Sequence, residues 1–175
     1  MKALLILITS LFFLASCVSA PKKIESNLLI GQSLTAHRYD DIYFSMQPSQ
    51  NDYAELKTQG FKTVINLRPE EEYDEKAEAD LLKKINVSYV NVPFPSQRPL
   101  DDTLIDKITK EVVKARSKGK VLVHCSSGNR VGVWLAGHFH KDHKHSKSDS
   151  MAVAKKLGLN KPGAIEKAQT YLDTK

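Results

Sequence analysis

From residue 40 to residue 124, short apolar runs alternate with segments whose apolar residues recur every three or four positions. Ile42 to Met46, Lys62 to Leu67, Ser88 to Val92 and Lys120 to His124 have the length and composition of strands. The centre of the last run, Val121-Leu122-Val123, lacks polar alternation, as a strand covered on both faces requires. Ser49 opens a helix that runs toward Gly60, with Asp52 as a capping-box partner. A second helical pattern places Ala77, Leu81 and Ile85 on one face. A third carries Leu104, Ile108, Val112 and Ala115 and stops at Gly119. Further helices are predicted from about Arg130, around Met151 to Leu157, and over Pro162 to Leu172, where Pro162 suits a first-turn position. Strands separated by crossover-length helices predict an α/β domain with a mainly parallel sheet flanked by helices. Ligands of such sheets bind beyond the carboxyl ends of the strands, which is where Cys125 falls.

The start of the chain follows a different pattern. Lys2 is followed by an apolar run from Ala3 to Leu14, broken only by Thr9 and Ser10. Spanning a bilayer takes about 20 apolar residues, so the run fits the apolar region of a secretory signal better than a membrane helix. It ends in Leu14-Ala15-Ser16-Cys17, which resembles the bacterial lipoprotein signal, in which the cysteine is lipidated and becomes the new N-terminus. A rival cleavage after Val18-Ser19-Ala20 would leave Pro21 first, which ordinary signal peptidases disfavour. The expected organisation is a signal over 1–16, a tether over 17–30 anchored by lipid on Cys17, and a single domain over 31–175. Val18 after the cysteine, rather than Asp, suggests by analogy the outer membrane of a Gram-negative cell and a periplasmic location.

The formal net charge is +6, with lysines spread along the chain. That balance suits anionic substrates, but there is no interleaving of aromatic and basic residues of the kind that binds nucleic acid. Only two cysteines are present. With Cys17 lipidated, Cys125 has no partner, and a lone thiol in an oxidising compartment calls for a chemical reason.

Residues 121–132 supply one. A strand delivers Cys125; Ser126, Ser127, Gly128 and Asn129 form a short loop; and a helix begins near Arg130. Gly128 permits a positive φ there. Successive N–H groups of such a loop make an anion-binding nest, and the helix N-terminus adds partial positive charge. Arg130 can close the site with a two-pronged contact to an oxyanion. The same field favours a thiolate nucleophile, so one feature both binds an anion and activates the sulfur.

The segment His124 to Arg130 resembles the phosphate loop of protein tyrosine and dual-specificity phosphatases. Most of the mature chain is similar to a bacterial dual-specificity-phosphatase-like family that includes domains fused to NAD kinases or to beta-lactamase-like hydrolases. The matching stretches are Gln47-Pro48-Ser49, Gly60 to Pro69, Tyr89-Val90-Asn91-Val92-Pro93, His124 to Gly132 and Leu157-Gly158-Leu159. The resemblance implies a cysteine-phosphatase-like fold, with the active loop between the last strand and the next helix. It also implies hydrolysis of phosphate esters through a phosphocysteine on Cys125, with Arg130 and the loop amides of residues 126–130 on the phosphate, a supporting His124, and no cofactor.

Three departures qualify this expectation. Four residues separate Cys125 from Arg130, one fewer than in ordinary tyrosine phosphatases and the same number as in rhodanese sulfurtransferases. Val131 stands where a Ser or Thr usually helps the thiolate leave. The Asp that acts as general acid is missing after Val92, where the chain reads Pro93-Phe94-Pro95-Ser96-Gln97-Arg98. The nearest acids, Asp101 and Asp102, are either that acid or caps of the next helix. Arg68 is either near the substrate or tied to Glu71 or Glu72. His138, His140, His143 and His145 read as a solvated helix end rather than a metal site. A Cys125 persulfide chemistry and a non-catalytic oxyanion-binding module are the alternatives to phosphatase function.

Overall fold

The computed structural model describes residues 23–175. The signal segment, Cys17 and the Pro21 alternative lie outside the described residues. In chain order the strands are β1 (Ile24–Ile30), β2 (Leu34–Tyr39), β3 (Ile42–Ser45), β4 (Phe61–Asn66), β5 (Ser88–Asn91) and β6 (Lys120–His124). The helices are α1 (Gln50–Leu56), α2 (Glu75–Lys84), α3 (Asp102–Arg116), α4 (Asn129–Lys141), α5 (Lys147–Lys156) and α6 (Pro162–Asp173). A 3₁₀ turn covers Glu70–Glu72.

All six strands join one sheet in the order β1-β2-β3-β6-β4-β5. β3, β6, β4 and β5 run parallel, and β1 and β2 extend the β3 edge antiparallel. The fold is therefore a mostly parallel, helix-flanked α/β sheet. β6, the last strand in sequence, is central in space. Its Val121 and Val123 enter the core beneath α3, α4, α5 and α6, and Leu122 faces the opposite core, under α1 and α2. Burial on both faces explains why the run carries no polar alternation.

The boundaries follow from local chemistry. Ser49 caps α1 with both halves of the capping box formed, and Asp52 Oδ1 also accepts from the backbone of Gln32 and Ser33 in the β1–β2 turn. In α3, Leu104, Ile105, Ile108, Val112 and Ala115 are all buried. Pro162 occupies the first turn of α6.

Two expectations need correction. Residues 24–30, expected to belong to the tether, form β1. That strand lies at the sheet edge with only Ile30 buried, and Asn27 takes a positive φ of 57° where the register with β2 shifts. A bulged, half-exposed edge strand has no clean two-residue period to detect. In α2 the buried positions are Glu78 and Leu82; Leu81 and Ile85 are half-buried and Ala77 is exposed. The helix is rotated from its apolar stripe because Glu78 is drawn inward by polar partners.

Candidate active site

The loop between β6 and α4 is built as the sequence pattern implies. Gly128 is the N-cap of α4 with φ 81° and ψ −18°, a left-handed conformation that a side chain resists. This turn folds the chain back so that the Gly128 N–H donates to Cys125 Sγ at 3.1 Å. A hydrogen bond from a backbone amide favours negative charge on sulfur. The first amides of α4 lie beside it with the positive end of the helix dipole. Val131 is fully buried and is part of the core, so it offers the loop no hydroxyl.

Arg130 spans the loop. Its Nη1 and Nη2 donate to Glu72 Oε1 and Oε2 at 2.8 and 2.7 Å, a bidentate pair. Nη1 also reaches the Phe94 carbonyl at 3.3 Å, and Nη2 reaches Ser126 Oγ at 3.1 Å. With the end of the guanidinium on Glu72, the edge toward Ser126 is the one left for an oxyanion. Burial lowers the Arg130 pKa, but Glu72 and the neighbouring Cys125 sulfur more than offset this and raise it. Cys125 itself is fully buried, beneath the loop.

A chain of polar contacts runs from Arg130 to His124, the residue before Cys125. Glu72 also binds Arg68, whose Nε is 3.6 Å from Glu72 Oε2. Of the alternatives for Arg68, the structure therefore shows the tie to Glu72. Arg68 Nη1 donates to Gln47 Oε1 at 2.9 Å, and Gln47 Nε2 donates to the Tyr53 hydroxyl at 2.9 Å. Tyr53 donates to Glu78 Oε1, and Asn66 Nδ2 donates to Glu78 Oε2 at 2.8 Å. His124 Nε2 lies 2.8 Å from Glu78 Oε1. An ionised carboxylate only accepts, so Nε2 carries the hydrogen. Burial pushes the Glu78 pKa up, but hydrogen bonds from His124 and Tyr53 outweigh this and hold it below its ordinary value. Burial raises the Tyr53 pKa, keeping its proton in place for Glu78. His124 is thus fixed from behind, as a support for the residue that follows it.

Other expected site residues are placed differently. The Asn129 side chain is held by hydrogen bonds on both sides: its Nδ2 donates to the Ser127 carbonyl at 3.3 Å within the loop, and its Oδ1 accepts from the Asn160 and Lys161 amides at 2.9 and 2.8 Å. It joins the loop to the start of α6. Asp101 caps α3 through the Leu104 amide at 2.7 Å and pairs with Arg98. Asp102 binds the Tyr171 hydroxyl at 2.6 Å and Lys175 at 2.8 Å, in a hollow shared with His140 and His145. Neither bonds Cys125 or Arg130 among the described residues, and of the two alternatives for this pair the structure shows capping by Asp101 and surface pairing by Asp102. In α4, His138 stacks on Trp134 at 5.2 Å and bonds Asp142, and His140 Nδ1 meets the His145 carbonyl at 2.9 Å.

A hollow of about 420 Å³ opens beside the loop, lined by Ser96, Ser126, Ser127, Arg130, Lys161 and Lys167 among others. Lys161 and Lys167 beside the loop and Glu78 behind it are residues that sequence reasoning did not single out, and Glu72 was named there only as a partner of Arg68. Lysines and glutamates in helices normally read as solvated, and no local pattern marked these.

The sheet order, the helices on both faces and a cysteine loop with its arginine define a cysteine-phosphatase-like fold. The match of residues 37–138 to the phosphatase-like domain of beta-lactamase hydrolase-like proteins shows that the chain belongs to that family. Solved structures share the fold. P. aeruginosa TpbA is 21% identical with a TM-score of 0.70, covering 89% of this chain and 92% of that one. A cysteine-to-serine variant of TpbA was solved in complex with phosphotyrosine, at 20% identity and a TM-score of 0.68, covering 89% of this chain and 91% of that one. A putative phosphatase from Shewanella putrefaciens CN-32 is 20% identical with a TM-score of 0.62, covering 83% of this chain and 89% of that one. No curated protein matches the sequence.

Proposed function

We propose that the protein is a cysteine-dependent phosphatase. The observation that carries this reading is the hydrogen bond from the Gly128 amide to Cys125 Sγ with Arg130 beside it. Cys125 Sγ attacks phosphorus, forming the S–P bond as the ester P–O bond breaks. The loop amides and the Ser126-facing edge of Arg130 hold the equatorial oxygens, where negative charge grows in the transition state. Water then cleaves the phosphocysteine, releasing phosphate and restoring the sulfur. Family membership and the TpbA complex with phosphotyrosine support an oxyanionic phosphate ester as substrate. Purified protein should hydrolyse p-nitrophenyl phosphate, with turnover abolished by Cys125→Ser; retention of turnover in that variant would refute the mechanism.

The four-residue spacing from Cys125 to Arg130 favours, as a second reading, sulfur transfer through a Cys125 persulfide. Cys125 Sγ would then take the outer sulfur of thiosulfate as the S–S bond breaks and sulfite leaves, a gain of one sulfur read by mass spectrometry, whereas the phosphatase reading predicts no such adduct.

The Leu14-Ala15-Ser16-Cys17 box supports an N-terminal lipid on Cys17 and a place on the periplasmic side of the cell envelope. Two or more acyl chains would anchor the protein stably. Intact-mass analysis should show an acylated Cys17; an unmodified N-terminus at Pro21 would refute the anchor.

A further inference from the structure

Ester hydrolysis with a poor leaving group needs a proton donor, and among the described residues lining the hollow there is no carboxylate. The carboxylate bound to Arg130 is Glu72. Hydrogen bonding from Arg130, with Arg68 adding positive charge, holds its pKa below the ordinary value, so it has no proton to give near neutrality. Asp101 and Asp102 are committed to the α3 cap and to Tyr171 and Lys175. In the place of an acid the hollow has cations. Lys167 Nζ donates to the Ser96 and Arg98 carbonyls at 2.5 and 2.6 Å, which fixes its position but leaves its charge without a counter-ion among the described residues. Lys161 is tied to the loop through its backbone amide on Asn129 Oδ1, and its side chain also has no ion pair among the described residues. Burial, and secondarily the Arg130 charge, lower the Lys167 pKa, which shows that its charge feels the loop.

We infer that the preferred bond of this site is a phosphoanhydride, with the leaving phosphate of a diphosphate seated against Lys161 and Lys167. This deepens the phosphatase reading and rests on it. Cys125 Sγ bonds the terminal phosphorus, the bridging P–O bond breaks, and its electron pair stays on the bridging oxygen, which departs as part of a phosphate. A phosphate group has its second pKa near ~6, so the leaving group carries the new charge without being protonated. Cations placed where that charge develops do the work a general acid does for an alcohol. Water then hydrolyses the phosphocysteine to orthophosphate and thiol. An alkyl phosphate gains nothing from the lysines and is slowed by the missing acid.

The test compares kcat/KM of the purified full-length chain on ADP, inorganic pyrophosphate, p-nitrophenyl phosphate and glycerol phosphate. The two diphosphates should exceed glycerol phosphate by at least ~10²-fold, the scale of an absent general acid. Lys161→Met with Lys167→Met should lower ADP cleavage about tenfold more than p-nitrophenyl phosphate cleavage, about 1.4 kcal/mol of selective stabilisation, and Lys167→Arg should restore most of it. Glycerol phosphate cleaved as fast as ADP, or lysine variants that slow both substrates equally, would overturn the inference. Turnover of p-nitrophenyl phosphate without ADP cleavage would defeat this inference alone; no turnover of any of the four would defeat the phosphatase reading with it.

Discussion

Replacing Glu78 by Gln tests the buried network that holds His124 beside Cys125. Glu78 is 5% exposed and accepts from three donors: His124 Nε2, the Tyr53 hydroxyl and Asn66 Nδ2. Gln is nearly isosteric, so no cavity forms. Its single oxygen can still serve His124 and Tyr53, but its NH₂ then faces the Asn66 NH₂. Flipping Asn66 is not free, because its Oδ1 accepts from the Arg68 amide at 2.8 Å. The substitution leaves one buried donor unsatisfied and removes the charge that strengthened two other bonds, a loss of about 3 kcal/mol. For a domain of this size that lowers Tm by roughly 6–12 °C, read by thermal unfolding monitored by circular dichroism. The sign with pH follows from the depressed Glu78 pKa. Its stabilisation is complete above the unfolded value of about 4.3 and is lost as pH falls through the lower folded value, so the two proteins should converge in acid. A Gln variant that melts within about 1 °C of the parent at neutral pH would refute the network, since at ~2–4 °C per kcal/mol such a shift leaves under half of one hydrogen bond.

Other substitutions probe the surroundings of the loop. Gly132→Ala would set a Cβ 2.6 Å from Leu159 Cβ and 2.9 Å from Leu159 Cα, and a net loss of about 1–2 kcal/mol is expected in urea unfolding because backbone must move, despite the better helix propensity. Glu72→Gln frees the end of the Arg130 guanidinium and should weaken inhibition by inorganic phosphate about fivefold, the scale of a partly exposed ion pair; tighter phosphate binding would show instead that Glu72 competes with the anion. Asp102→Asn should leave turnover of phenyl phosphate, whose leaving group is poor, within about twofold, whereas loss of a general acid would cost that substrate ~10²-fold or more.

Most of the fold was legible because its signals are local. The unbroken Val121-Leu122-Val123 run marked a doubly covered strand, and the Leu104, Ile108, Val112, Ala115 stripe marked α3. The β1–β2 extension was not legible, because an exposed, bulged edge strand buries too little to impose a pattern. At the site, the positive φ at Gly128 could be anticipated from the residue type alone. The partners of Arg130 and His124 could not. Glu72 sits in a 3₁₀ turn 58 residues upstream of Arg130, and Glu78 is an acidic residue turned into the core by distant donors. Asp101 and Asp102, the acids nearest in sequence to the segment after Val92, are engaged by Leu104 and Arg98 and by Tyr171 and Lys175, partners that the sequence between acid and helix could only half announce.

The central claim is that Cys125 is the nucleophile of an oxyanion-binding loop closed by Arg130. The most direct measurement is the rate of Cys125 alkylation by iodoacetamide, followed by site-resolved mass spectrometry with and without inorganic phosphate. Phosphate should slow modification of Cys125 in a saturable way, and Arg130→Ala should remove the protection. Modification at the same rate with and without phosphate would contradict the account.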